Sequence, residues 1–330
     1  MIAWTPDVTV VVAAYNSSET IQRAIDSALA QVNVTVEVIV ADDCSSDDTR
    51  GRVAAITDPR VRLIALESNL GPGGARNAAI DAARGRWIAV LDSDDVFKPM
   101  RLFRMIERAE QEKAEIVVDN LDVIDMNGDS RTMFLEEALV HIGHIDLATF
   151  IGSNILFRSQ HNYGYMKPIF LRSFLNDKDL RFDESLRIGE DYLLLASALA
   201  EGAICAVEPT AGYAYYIREG SISRVLRLHH VDAMMTADAG FMARYNLHDK
   251  ALAAQTARTR SLKEAQAFIM LIDGLKARSL SSVVKVAMAN PLALRHLKMP
   301  IAARFRRLAE SLWKTRTAQR AIPSDRTTGS

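Results

Sequence analysis

The chain has little that would staple or anchor it. It has two cysteines, Cys44 and Cys205, in 330 residues, too few for a disulfide framework, and neither has a Cys or His at metal-ligand spacing. Two reduced, small cysteines are what a cytoplasmic protein is expected to carry. No uncharged apolar run reaches about 18 residues, the length a membrane-spanning helix needs. The stretch Met1 to Asp7 reads as too short and too polar for a secretory signal. Net charge is also scarce: 40 Lys and Arg against 41 Asp and Glu leave −1, which argues against bulk nucleic-acid binding. The seven histidines are scattered, and the pairs His141/His144 and His229/His230 make no zinc set. No internal repeat is visible. What remains is 49% hydrophobic and long enough to bury a core unaided, as one large domain with an appendage or as two domains.

The first third alternates strand and helix patterns. Val8 to Ala14 is a continuous apolar run that reads as a strand buried on both faces, Val36 to Ala41 reads as a second buried strand, and Val61 to Leu66 and Arg86 to Leu91 read as a third and a fourth strand. Between them lie a helix with Ile21, Ala24, Ile25, Ala28 and Leu29 at helical spacing, capped by Ser17 or Ser18, and a second opened by Ser46-Asp47-Asp48-Thr49. A third runs from the Gly71 turn through Ala83, and a fourth spans Lys98 to Glu112 with Pro99 in its first turn. This βα order predicts an α/β fold with a mainly parallel sheet, whose ligands bind beyond the carboxyl ends of the strands. Asp42 and Asp92 both stand at such ends. After Glu115 to Ile124 and the Asn127-Gly128 turn the pattern becomes mixed: Gly189 to Ala200 reads as a helix, Tyr213 and Tyr215 alternate as in a strand, and from His229 onward the pattern is helical. The segment from Lys298 is basic and amphipathic, and Ala321 to Ser330 is a polar tail read as disordered.

Four clusters could carry chemistry. Asp92-Ser93-Asp94 follows an apolar strand, and two carboxylates on one loop suit a hard cation that also bridges phosphates; the plain alternative is a solvated acidic turn. Asp42 can accept from a uracil imide or a ribose hydroxyl, with capping of the next helix left to Ser45 or Ser46. Gly71-Pro-Gly-Gly-Ala-Arg-Asn77 resembles a dinucleotide fingerprint only superficially, since Arg76 takes the place of its third glycine. Its helix start could face phosphate, and Arg76 could face phosphate or pair with nearby carboxylates. Glu190 or Asp191 could serve as a general base, or could simply favour a helix start. His229 could approach a metal from the C-terminal side.

Taken in order, Thr9–Asn16 (TVVVAAYN), Val38–Thr49 (VIVADDCSSDDT), Gly71–Asn77, Val90–Asp95 (VLDSDD), Gly189-Glu-Asp191 and Arg218–Ser223 (REGSIS) resemble the family 2 glycosyltransferases, which carry the GT-A fold. The likeness covers about residues 7 to 225 and is nearest to bacterial exopolysaccharide enzymes of the succinoglycan type. It implies a GT-A nucleotide-sugar-binding and catalytic domain over 1–225, a C-terminal helical region over 226–320 and a tail over 321–330. It implies an inverting transfer of a sugar, glucose from UDP-glucose as the first choice, to an acceptor hydroxyl on a lipid-linked oligosaccharide. The backbone at Ala13 and the ring of Tyr15 would hold the uracil, Asp42 the base or ribose, Arg76 and Asp92 the nucleotide, and Asp94 a Mn2+ or Mg2+ ion. Asp191 would take the acceptor proton, with Glu190, Ser221 and His229 as lesser candidates. Cys44 stands where a Gly is more usual. The family setting implies cytoplasmic work with peripheral contact at the inner face of the membrane through 300–320, and leaves the oligomeric state open.

Two rival readings remain. Trp87 to Val96 fits the apolar strand and Asp-x-Asp-x-Val of a haloacid-dehalogenase-like phosphatase, with Asp92 as nucleophile and Asp94 as acid/base. A nucleotide-sugar-binding protein without turnover is the second.

Overall fold

A computed structural model describes residues 5–158, 162–218 and 226–297. Ser221, most of the 218–223 loop, the basic segment 300–320 and the tail from 321 lie outside the described residues. The described residues fall into two compact units that divide between Leu262 and Lys263.

The first unit follows the alternation read from the sequence. Its elements are β1 (Val8–Ala14), α1 (Ile21–Leu29), β2 (Val36–Asp42), α2 (Thr49–Ala54), β3 (Val61–Ala65), α3 (Gly71–Asp81), β4 (Trp87–Asp92), a short β5 (Val96–Phe97) and α4 (Arg101–Glu112). There follow β6 (Ile116–Ile124), β7 (Ser130–Thr132), α5 (Glu136–Ile142), α6 (Leu147–Ser153), β8 (Pro168–Leu171), α7 (Arg172–Asp177), α8 (Glu190–Ala200), β9 (Cys205–Tyr216) and α9 (Leu228–Arg244). A long α10 (Asp249–Lys276) begins in this unit. In the second unit α11 (Leu280–Ala289) and a 3-10 segment (Pro291–Leu297) accompany a small core of Ala267, Leu271 and Ala293.

Among the described residues the sheet has nine strands in the order β3-β2-β1-β4-β8-β6-β9-β5, with β7 on β6. β3, β2, β1 and β4 are mutually parallel, while β8 runs antiparallel between β4 and β6. β1 and β2 are buried almost throughout, as their unbroken apolar runs require. Glu37 is buried in β2 because Thr9 Oγ1 (2.6 Å) and the Arg84 N–H (2.7 Å) donate to it.

The register delivers the site. Ala13 lies between Ala41 and Asp92, and Ala14 opposite Asp42, so the tips of β2, β1 and β4 line up along one edge. With neighbouring strands about 4.8 Å apart, Asp42 and Asp92 stand roughly 10 Å from each other across β1.

Several helix starts differ from the sequence reading. α1 begins at Ile21 with no side-chain cap, because the Ser17 carbonyl accepts the Thr20 and Ile21 N–H groups instead. α2 is not started by Ser45 or Ser46; Asp47 accepts the Thr49 N–H at 3.0 Å. α4 begins at Arg101 rather than Lys98, since the Lys98 N–H donates to Gly212 O (2.8 Å) and its carbonyl accepts from Gln31.

Candidate active site

Gly71 opens α3 at φ +85°, a conformation glycine adopts without a Cβ penalty. The helix start is already occupied: Asp43 accepts the Leu70 N–H at 2.6 Å and the Gly71 N–H at 2.9 Å. The expectation that this N-terminus faces phosphate is therefore corrected, because a carboxylate of the chain fills that role. Burial pushes the Asp43 carboxyl up, against those two backbone N–H groups and Arg187.

Asp42 ends β2 fully buried. One of its oxygens accepts from the Arg50 guanidinium and the Ser45 N–H, and the other, Oδ1, has no hydrogen-bond partner among the described residues. A buried acceptor without a partner costs free energy unless a ligand supplies a donor. Cys44 follows at φ +64°, so a side chain sits in the left-handed conformation that suits the glycine expected there. Ala13 is half-buried at the β1 tip, and Tyr15 is 49% exposed just past it.

The second half of the site is a closed ion-pair ring. Arg76 on α3 donates from Nη2 to Asp92 Oδ1 (2.7 Å) and from Nη1 to Glu190 Oε1 (2.8 Å) and Asp191 Oδ1 (3.0 Å). Lys167, just ahead of β8, donates from Nζ to Asp92 Oδ2 (2.8 Å) and Asp191 Oδ2 (3.0 Å). Gly189, at φ +92°, turns the chain into α8 so that Glu190 and Asp191 arrive in its first turn. Of the two alternatives left open for Arg76, pairing with carboxylates is what the structure shows. Both Asp92 oxygens are held by cations, Oδ1 by Arg76 and Oδ2 by Lys167. Burial works to raise the Asp92 carboxyl, but Lys167 and Arg76 outweigh it and hold it well below the ordinary carboxylate range. Glu190 is pushed up by burial and by Asp191, despite Arg76. Burial disfavours the charges on Arg76 and Lys167, yet the surrounding carboxylates hold both firmly protonated.

Asp94 is the carboxylate left over. Burial raises it, as does the charge of Asp92, with Arg218 and Lys167 acting the other way. Its loop is held through neighbours: Arg23 donates to Asp94 O (2.7 Å) and stacks on Tyr216, and the Ser17 and Ser93 hydroxyls meet at 2.7 Å. Tyr213 donates to buried Asp95 (2.8 Å) and accepts the Asp92 N–H (3.2 Å). Burial and the charges of Asp92 and Asp94 push Asp95 well up. Tyr213→Phe leaves a buried carboxylate and an N–H short of partners, and is expected to cost about 1–3 kcal/mol in thermal or urea unfolding. An unchanged midpoint would mean that the loop stands without the phenol.

Does this loop suit a divalent cation? Magnesium and manganese take hard oxygen ligands and are commonly held by one or two carboxylates together with substrate phosphates. Asp94 supplies one such carboxylate, and among the described residues the ion pairs of this loop go to Asp92. Among the described residues no group of three or more His, Cys, Asp or Glu is arranged to hold a metal. The loop thus suits a cation shared with a diphosphate rather than an all-protein cage. His229 is exposed at the start of α9 and packs edge-on against His230, ring centroids 4.1 Å apart.

Sequence reading brought Asp42, Arg76, Asp92 and Asp191 forward but missed Lys167, Tyr213, Arg23 and the cap at Asp43. Lys167 is a lone lysine before a short apolar strand, and nothing in its spacing signals two carboxylate partners.

Comparison with known proteins bears on the family and the fold. The model for "Glycosyl transferase family 2" matches residues 9–174. The "Succinoglycan biosynthesis protein ExoO" of Rhizobium meliloti (strain 1021) is 63% identical over 320 residues, covering 96% of this chain and 92% of the relative. The "UDP-Glc:alpha-D-GlcNAc-diphosphoundecaprenol beta-1,3-glucosyltransferase WfgD" of Escherichia coli is 30% identical over 200 residues, 61% of this chain and 72% of that one. Among solved structures, the mannosyltransferase PcManGT from Pyrobaculum calidifontis in complex with GDP-Man and Mn2+ aligns with a TM-score of 0.58. It is 18% identical, over 94% of this chain and 88% of that one, a likeness of fold. That fold is the GT-A type, a mostly parallel sheet flanked by helices.

Proposed function

Since the chain belongs to glycosyl transferase family 2, we propose that it moves glucose from UDP-glucose to a hydroxyl of a lipid-linked oligosaccharide in the assembly of a succinoglycan-type exopolysaccharide. The observation that carries the reading is the Arg76–Lys167 ring, which brings Asp92 and Asp191 together on the sheet edge where the buried, half-satisfied Asp42 ends β2, across β1. A binding crevice for nucleotide and acceptor at the strand tips is what such a sheet offers.

The uridine sits at the tips of β1 and β2, with the Tyr15 ring on the base and Asp42 Oδ1 accepting from the base or the ribose. Asp92 lies on the ribose side. Asp94 would hold a Mn2+ or Mg2+ ion, which supplies neutralisation of the diphosphate's charge. Asp191 accepts the proton of the acceptor hydroxyl. The oxygen attacks the anomeric carbon as the bond from that carbon to the diphosphate breaks, so UDP leaves on the opposite face and the configuration inverts. Between the two adjacent acids, exposure favours Asp191 as base: its side chain is 26% exposed against 10% for Glu190. Each oxygen of a carboxylate has two acceptor sites, so the bonds from Arg76 and Lys167 leave room for the hydroxyl. The names of the ExoO and WfgD relatives support the exopolysaccharide setting, the UDP-glucose donor and the lipid diphosphate acceptor.

A donor screen by nucleotide release, with a polyprenyl-diphosphate saccharide as acceptor, tests the reading. UDP-glucose with Mn2+ or Mg2+ should give release that chelation by EDTA removes and fresh metal restores. Turnover with a different nucleotide sugar, or with EDTA present, would overturn the donor or the metal assignment respectively.

A further inference from the structure

The ring does more than bring opposite charges together: it holds two of its carboxylates at both oxygens. Three carboxylates, Asp92, Glu190 and Asp191, face two cations, and Arg76 alone touches all three. Lys167 touches only two, on the oxygens that Arg76 leaves free. Asp92 Oδ1 and Asp191 Oδ1 go to the guanidinium, while Asp92 Oδ2 and Asp191 Oδ2 go to the ammonium. A carboxylate bonded at one oxygen still turns about its terminal torsion, which is broad and nearly two-fold. Bonded at both, its plane is set. The Lys167 side chain is 11% exposed, beside Asp92 and Asp191 at 23% and 26%, so this second clamp sits among the more open members of the ring, while Arg76 lies deeper at 6%.

We propose that Lys167 is a positioning residue for the transfer step, clamping Asp191 to Asp92 so that the base carboxylate holds a fixed place relative to the donor-binding strand tip. The proposal rests on the reading of Asp191 as acceptor base. Lys167 acts on turnover through that carboxylate, while Asp92 keeps its bond to Arg76 when Lys167 is lost and so still serves the nucleotide side. A misplacement of about 1 Å at a reacting group can lower a rate by about 10²-fold, which sets the scale of the effect.

The test uses the full chain with Lys167→Met, Lys167→Gln and Lys167→Arg, alone and with Asp191→Asn. Turnover is read by UDP release and UDP affinity by calorimetry, with melting curves to confirm folding. Lys167→Met and Lys167→Gln should lower kcat about tenfold to a hundredfold with UDP affinity within about twofold of the parent. Lys167→Arg should recover most of the loss. In the Asp191→Asn background, removing Lys167 should have no further effect, the non-additivity expected of residues acting as a unit. An unchanged kcat in a folded Lys167→Gln protein, a parallel fall in UDP affinity, or full additivity with Asp191→Asn would overturn the proposal. If Asp191→Asn itself keeps parental turnover, the base reading fails and the clamp falls with it. If Asp191→Asn is inactive but Lys167→Gln is not, the clamp alone fails.

Discussion

Asp191→Asn is expected to lower kcat by about 10²–10⁴-fold, the usual contribution of a positioned general base, while leaving UDP binding close to that of the parent. The argument is geometric before it is electrostatic. Asparagine keeps the shape and one acceptor oxygen, so Arg76 or Lys167 keeps a partner and α8 keeps its start at Gly189. What disappears is the anionic acceptor for the hydroxyl proton. UDP release in the presence of acceptor measures the loss, calorimetry with UDP measures binding, and a melting curve shows that the fold has survived. Turnover within about threefold of the parent would remove Asp191 from the mechanism. Loss of UDP affinity in step with kcat would place Asp191 in donor binding instead.

Arg76→Met is expected to be the most damaging substitution for stability. The guanidinium is 6% exposed and bonds three carboxylates, so its loss leaves Asp92 and Asp191 with Lys167 alone and takes the Arg76 ion pair from Glu190. Removing one partner from a buried ion pair costs about 3–5 kcal/mol, because the remaining charge stays buried and unpaired. In a chain of this size that corresponds to a fall in Tm of about 4–7 °C. The pH dependence has a definite sign. Burial opposes ionisation of Asp92, but Lys167 and Arg76 hold its folded carboxyl below its unfolded value. The stability this adds is present above the unfolded value and is lost as pH falls through the folded one. Without Arg76, Asp92 and Glu190 lose a cation that favours their charged forms and accept protons more readily, which relieves the repulsion. The Tm gap between parent and Arg76→Met should therefore be widest near neutral pH and narrow as pH falls through about 5 to 4. A gap that stays constant or widens toward acid would mean that Arg76 supports the fold by packing against Phe182, whose ring centroid lies 5.2 Å away, rather than by charge.

β1, β2 and β4 were legible because a strand buried on both faces writes itself as an unbroken apolar run. β1 has the ends read for it, Val8 and Ala14. The acids that stop β2 and β4 were legible for the same reason, since a carboxylate ending such a run marks the edge where polar groups become affordable. Helix starts were less so. Serine, aspartate and backbone carbonyls compete for the same N–H groups, and the winner depends on which loop lies next to which. Asp43 caps α3, an element 28 residues further along the chain, and no local pattern announces that. Cys44 marks the opposite case: the family pattern expects glycine, and φ +64° supplies the physical reason.

By itself the sequence determined the alternation of strands and helices, the parallel order it implies, and the acids at the strand ends, because each is a periodicity or a local stop. Only the tertiary structure decided which charges meet. Arg76, Asp92, Lys167, Glu190 and Asp191 come from α3, β4, the approach to β8 and α8, and they touch because β8 lies antiparallel beside β4. An ion pair depends on distance in space, which a chain carries only once it is folded.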